Sequence, residues 1–283
     1  MIMFAVGNIL FLCLGVARIP STAVPPERLF LTLKQASEYC DRVKRTVCKI
    51  ACEERILEKK IDPFQWTPWS KKKIRRMKEI EYVYQYRWIY KRDRLRENRI
   101  LLKENGEPRE QEHAVLKVLG IHSLRPMISP VGFIGKDAEK FYDYEWLGEK
   151  KIFDRKASVL RSRPKAGKET PKDYGRIWVD SSTGAVLRIE LEQECVAGFD
   201  DLKAWADKNK LRPFLSAVYD FGIEKNGICF PSRTEIEESY AGPGYPKNRW
   251  TNVAAEYSHY DFFLIKTKKE KNGFDRRTNG SHS

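Results

Sequence analysis

Cys40, Cys48 and Cys52 fall eight and four residues apart. On an unbroken helix that spacing sets three thiols near one stripe, where a metal site or a redox pair would need them. A structural metal usually takes four ligands, and the four histidines, His113, His122, His259 and His282, are scattered along the chain with none close by. Buried thiols at core positions are the better reading, so no metal and no cofactor is expected. The chain has no HExxH, GxSxG or CxxC motif and no dinucleotide fingerprint. The stretch VGFIGKD at 131–137 lacks the P-loop spacing and carries Asp137 where a hydroxyl residue would stand. Carboxylates abound, but nothing singles out a pair, and the protein is expected not to be an enzyme.

Binding chemistry is better represented. Lys71, Lys72, Lys73, Arg75 and Arg76 follow closely on Trp66 and Trp69. Such a run can hold the phosphates of an anionic membrane while the indoles sit at its interface, or it can be a solvated connector. The whole chain has 53 Lys and Arg against 39 Asp and Glu, a formal charge of +14, which raises the prior for an acidic partner. Tyr82, Tyr84, Tyr86, Trp88 and Tyr90 alternate with smaller or charged residues, the period of a strand with one aromatic face. That face would line a cavity for an apolar ligand or simply pack against the helix. Ile177, Val179, Leu187, Ile189, Leu191, Tyr219 and Phe221 are the further candidates for such a wall.

The elements that must position these residues follow from periodicity. Leu29, Leu33, Ala36, Cys40, Val43 and Val47 recur three and four apart, one face of an amphipathic helix within residues 24–61; residues 50–58 fit a helix or a strand about equally. Residues 62–78 read as a basic connector rich in Trp and Pro. Residues 79–267 then alternate strand patterns with turns. EYVYQYRWIYK is followed by RENRILLK with its ENG turn, and KFYDYEWL by KIFDRKASVLRSR. YGRIWVDSSTGAVLRIEL folds back on itself at DSSTG, and SAVYDFGIEKNGICFPSRTEIEESY at EKNG. WTNVAAEYSHYDFFLIKT forms a last strand. FDDLKAWADKNKL reads as a short helical insertion, a second short helix falls near Glu112 to Leu119, and residues 268–283 form a polar tail. The fold class is α+β: a strongly curved antiparallel β-sheet, an incomplete barrel, packed on an N-terminal helix.

Residues 1–23 open with an apolar run and end in Ser21-Thr22-Ala23, which fits the small-x-small rule for signal-peptide cleavage; Gly15-Val16-Ala17 is a second such site. The run from Ile2 to Ala17 is shorter than the ~20 residues a membrane span needs. Export implies an oxidising compartment, and five cysteines remain after cleavage: Cys40, Cys48, Cys52, Cys195 and Cys229. An odd number leaves at least one thiol unpaired or intermolecular. If the strands bearing Leu187, Gly222 and Cys229 are successive antiparallel neighbours with those residues opposite one another, Cys195 lies ~26 Å away at ~3.3 Å per residue, beyond disulfide reach.

YGRIWVDSSTGAVLRIEL, FGIEKNGICFPSRTEIE and AAEYSHYDFFLIKT together resemble bacterial exported proteins of the outer-membrane lipoprotein-sorting, LolA/LolB-like superfamily, over about residues 78–267. The resemblance implies an incomplete barrel preceded by a helix, with a concavity for acyl chains. It implies a periplasmic or envelope-associated, non-catalytic protein that takes a lipid or other apolar ligand; the basic connector adds an anionic membrane surface as a further expected partner, and with an export leader no nucleic acid is expected. The alternative is an envelope interaction module with a filled core and an acidic partner on its basic surface. Amino-terminal sequencing of exported material is expected to find Val24 or Arg18 first; a mature protein beginning at Met1 would refute the leader.

Overall fold

The computed structural model describes residues 26–46, 49–61, 77–91, 94–112, 134–135, 138–167, 174–196, 199–243 and 245–262. The leader, the connector from 62 to 76, the short helix expected after Glu112 and the tail lie outside these residues.

Helix α1, Pro26–Thr46, carries Ala36, Tyr39, Cys40 and Val43 on its buried face. Its start follows the rule that proline is tolerated in a first turn, where the missing N–H has no helical partner to lose. Thirteen strands follow among the described residues: β1 Lys49–Ile61, β2 Met77–Lys91, β3 Arg94–Glu104, β4 Glu107–Glu112, β5 Tyr142–Ile152, β6 Arg155–Pro164, β7 Gly175–Asp180, β8 Val186–Leu191, β9 Arg212–Asp220, β10 Ile223–Lys225, β11 Ile228–Phe230, β12 Arg233–Gly242 and β13 Tyr245–Phe262. Helix α2, Phe199–Lys208, lies between β8 and β9. Eleven strands form one open sheet in the order β4-β3-β2-β1-β13-β12-β9-β8-β7-β6-β5, and β10 and β11 form a separate hairpin.

Several boundaries differ from the sequence reading, each for a physical reason. Residues 49–61 are strand, so the helix is confined to Pro26–Thr46. The alternation of Ile50, Cys52, Glu54, Ile56 and Glu58 is met by backbone pairing on both sides, with β2 and β13, and that pairing decides a segment whose local period was ambiguous. Met77 and Lys78 belong to β2 and not to the connector. The turn between β5 and β6 falls at Phe153-Asp154; Gly148, at φ 124, marks an irregularity inside β5. Cys229 lies opposite Glu224 in the β10–β11 hairpin, because β9 pairs with β12 and leaves that hairpin outside the main sheet. Cys40, Cys52, Cys195 and Cys229 are buried and not joined in disulfides, and Cys40 on a helix and Cys52 on a strand share no helical stripe.

The sheet is far wider than the helix it rests on. Eleven strands at ~4.8 Å span ~48 Å, whereas a helix of 21 residues is ~31 Å long. Burial of the inner face therefore requires the sheet to curl, with α1 and the β10–β11 hairpin closing over it. Two contacts seat the helix. The Tyr39 hydroxyl accepts from the Cys229 N–H at 2.9 Å and donates to the Cys229 carbonyl at 3.4 Å. At the β7–β8 turn, Asp180 Oδ1 accepts from the amides of Ser182 and Thr183 at 2.9 and 2.7 Å. Gly184 closes that turn at φ 71, and a Cβ there would sit 2.5 Å from the Gln35 carbonyl oxygen of α1.

Gly184→Ala meets both the left-handed backbone and the helix, and is expected to cost about 2 kcal/mol or more, read from the midpoint of urea unfolding. A change within experimental error would mean that α1 is not held against this turn.

Candidate functional site

Among the described residues the inner face of the sheet is a large surface that the strand pattern dedicates mainly to apolar side chains. One cross-strand row runs Tyr82, Ile56, Ala255, Thr234, Tyr219, Ile189, Ile177, Leu160 and Trp146 through nine strands. Alternation within each strand places these residues on one side because successive side chains point to opposite faces. Of the twelve wall residues read from the sequence, Tyr82, Tyr84, Tyr86, Trp88, Ile177, Val179, Leu187, Ile189, Tyr219 and Phe221 are at most 5 % exposed and Leu191 is half-buried, while the side chain of Tyr90 lies outside the described ones. The structure brings these eleven described side chains into or against one core cluster. At that burial the protein's own atoms cover these side chains, and a guest would have to displace one of the covering elements. The membrane-contact candidates Trp66, Trp69, Lys71, Lys72, Lys73, Arg75 and Arg76 lie outside the described residues.

A polar cluster not foreseen from the sequence lies on the same face over β1, β2, β3 and β13. Arg99 donates from Nε and Nη2 to the two carboxylate oxygens of Glu54, the second bond at 2.8 Å. Glu54 is fully buried and Arg99 is 9 % exposed. The Arg99 guanidinium stands 4.6 Å over the ring of Tyr86, whose hydroxyl donates to Glu97 Oε1 at 2.5 Å. Burial raises the phenols of Tyr84, Tyr86, Tyr257 and Tyr260 above their usual range, aided by Glu54 at Tyr84 and Tyr257, by Glu97 at Tyr86 and by Cys52 at Tyr260. The thiols of Cys40 and Cys52 are pushed up to about 12 by burial. Protonated thiols and neutral phenols are poor nucleophiles, and the guanidinium is already neutralised by its carboxylate. The cluster is suited to holding strands together and to presenting a few hydrogen-bond donors beside apolar surface.

Glu58 is the exception. It lies two rungs from Glu54 on the same face of β1, is 2 % exposed, and neither carboxylate oxygen has a hydrogen-bond partner. Burial raises its carboxyl to about 7, against the opposing pull of Lys60 and Lys78. The alternation in KIACEERILEKKI already placed both carboxylates in phase with Ile50, Cys52 and Ile56. That was the available signal, and it was lost while the segment could still be read as helix. Among the described residues no cluster of three or more His, Cys, Asp or Glu could hold a metal ion, and no helix is long and apolar enough to cross a membrane.

No family model and no curated protein matches the chain. Among solved structures it is similar to a DUF1329 family protein from Desulfovibrio piger, at 14 % identity and a TM-score of 0.38 over 84 % of this chain and 94 % of that one. It is similar also to a LolA superfamily protein from Nitrosomonas europaea, at 13 % and 0.34 over 82 % and 94 %. An outer membrane lipoprotein-sorting protein domain from Vibrio parahaemolyticus matches at 11 % and 0.36 over 86 % and 95 %. At these identities and scores the likeness carries no argument about what the chain binds.

A carboxyl held at about 7 in the fold and near 4.5 in the unfolded chain is a protonated group that folding favours. Its stabilising effect is complete below pH ~4.5 and is lost as the pH rises through ~7. Glu58→Gln is therefore expected to flatten the fall in stability between pH 5 and 8 and to gain roughly 1–3 kcal/mol at pH 8, read by urea unfolding across that range. Parallel curves for the two proteins would show that Glu58 has a partner or is open to water.

Proposed function

We propose that this is an exported, non-catalytic protein of the cell envelope that holds a lipid or another apolar molecule against the inner face of its curved sheet, with α1 as the cover that gives way. The observation that carries this reading is the row of nine strands ending in Trp146, apolar over most of its length. A single amphipathic helix and a three-residue-strand hairpin close it. Among the described residues α1 is tied down by the Tyr39 pair with Cys229 and a 4.0 Å ion pair between Arg28 and Glu149, and most of its buried side chains are apolar. A cover attached mainly by non-directional apolar burial can be exchanged for an acyl chain at little net cost, because both remove similar surface from water. Displaced phenols of Tyr82 and Tyr84 would offer donors to a polar head group. The resemblance of the sequence to lipoprotein-sorting proteins supports the same ligand class and a periplasmic or envelope location.

A second reading has its own observation. The ten wall residues are at most 5 % exposed, which is what a sheet filled permanently by its own side chains shows. Such a protein would be an envelope interaction module that meets an acidic partner through its +14 surface.

Organic extraction of the natively purified protein followed by mass spectrometry separates the two readings. A stoichiometric lipid is expected. Repeatedly empty extracts, together with salt-dependent retention on an anionic polymer, would overturn the carrier reading in favour of the module.

A further inference from the structure

The outside of the molecule carries a feature that interior packing does not account for. Phe30 and Leu31, in the first two turns of α1, are 67 % and 54 % exposed, and Phe153, at the tip of the β5–β6 hairpin, is 43 % exposed. These lie on neighbouring elements. Glu149 receives Arg28 of α1 at 4.0 Å and Lys156 of β6 at 2.8 Å, which sets the start of the helix beside the hairpin.

The hairpin tip is unusual in its chemistry. Ile152 pairs with Arg155, so Phe153 and Asp154 form a two-residue turn, and both have positive φ, 48° and 60°. Turns of that kind favour Asn-Gly because the left-handed backbone crowds an ordinary Cβ. Two other such hairpins among the described residues obey the rule, with Asn105-Gly106 between β3 and β4 and Asn226-Gly227 between β10 and β11. Phenylalanine at the first position of the third gains nothing for the backbone. What it gains is an aromatic ring at the apex of a projecting turn, leaning toward Gly222, where an added Cβ would meet its Cε1 at 3.7 Å.

We propose that the first two turns of α1 and the tip of the β5–β6 hairpin form a surface that docks on an anionic lipid bilayer. The exposed apolar side chains are few and have cations close by in the chain, Arg28 and Lys34 on either side of Phe30-Leu31 and Lys150, Lys151, Arg155 and Lys156 around Phe153, a pattern that fits a soft charged interface better than a shaped protein pocket. Lys34 and Lys150 have no ion pair among the described residues; Lys151 and Lys156 pair across the hairpin just before its tip, with side chains 71 % and 66 % exposed although they reach Asp154 at 2.9 Å and Glu149 at 2.8 Å. Lysine stems lie along apolar surface while their ammonium groups reach phosphate, so each cation adds attraction where each ring adds burial. The net charge of +14 supplies the long-range complement. The surface is separate from the interior wall, and the proposal does not rest on the ligand reading.

The test uses the full chain with vesicles of phosphatidylcholine alone and of phosphatidylcholine with 30 mol % phosphatidylglycerol (roughly a third anionic, as membrane-surface assays require), read by co-sedimentation. The wild type is expected to bind the anionic vesicles and only weakly the neutral ones. F30S/L31S/F153N is expected to bind at least about tenfold more weakly. F153N suits the left-handed turn, so its thermal unfolding should be unchanged or raised while binding falls. K34E/K150E is expected to weaken binding to the anionic vesicles alone. A folded triple variant that binds like the wild type would overturn the proposal, as would a wild type that ignores anionic vesicles. Loss only in W66S/W69S would place docking on the connector, and a wild-type dimer abolished by the triple variant would make the surface a contact between two copies; either overturns it. None of these failures touches the extraction experiment, which reads the interior.

Discussion

An open sheet of eleven strands has one apolar face and too little helix to cover it, and every other feature follows from how that face is kept from water. Antiparallel sheets tolerate one wet side, but here both sides are covered in places. Leu160 and Ile177 are buried on the inner side, and Val159 and Trp178 are buried on the other. Curvature brings α1 and the β10–β11 hairpin over the inner face, and Gly184 lets the helix approach a turn that any larger residue would hold away. The closing elements are small relative to what they close. That is the physical basis for treating α1 as a cover.

The polar groups within this face divide into two kinds. Glu54 and Arg99 neutralise each other in a bidentate pair stacked on Tyr86, and loss of one partner alone would leave a buried charge whose cost is ~3–5 kcal/mol. That pair ties β1 to β3 across β2 and stiffens the half of the sheet farthest from the β5–β6 hairpin. Glu58 lies on the same face without such a partner and is retained at a cost that grows as it ionises. The charged chemistry of the interior is thereby concentrated at one end of the sheet, and the wall from β8 to β6 is mostly apolar, with Ser158 and Ser162 of β6 as buried polar members.

Much of the architecture was legible locally. Tyr82, Tyr84, Tyr86 and Trp88 are buried on one side of β2 because strict alternation leaves a strand no other way to shelter four large rings. The Asn-Gly turns and the Asp180 turn are where their backbone requirements place them, and α2 occupies the helical insertion. The Phe153-Asp154 turn was not legible, because Asp154 beside Phe153 is a weaker turn signal than the nearby Gly148, which serves only a strand irregularity. The polar half of the inner face was hidden for a related reason. Its carboxylates became inward groups only once β1 was known to be a strand.

By itself, the sequence determined the periods, the turns and the helix face, since these depend on side-chain direction and backbone sterics within a few residues. Only the tertiary structure decided that β1 lies between β2 and β13, that Glu54 meets Arg99, and that Phe30 and Phe153 stand on neighbouring elements. Those outcomes rest on contacts between residues tens to hundreds of positions apart, and no local pattern carries the free energy that selects them.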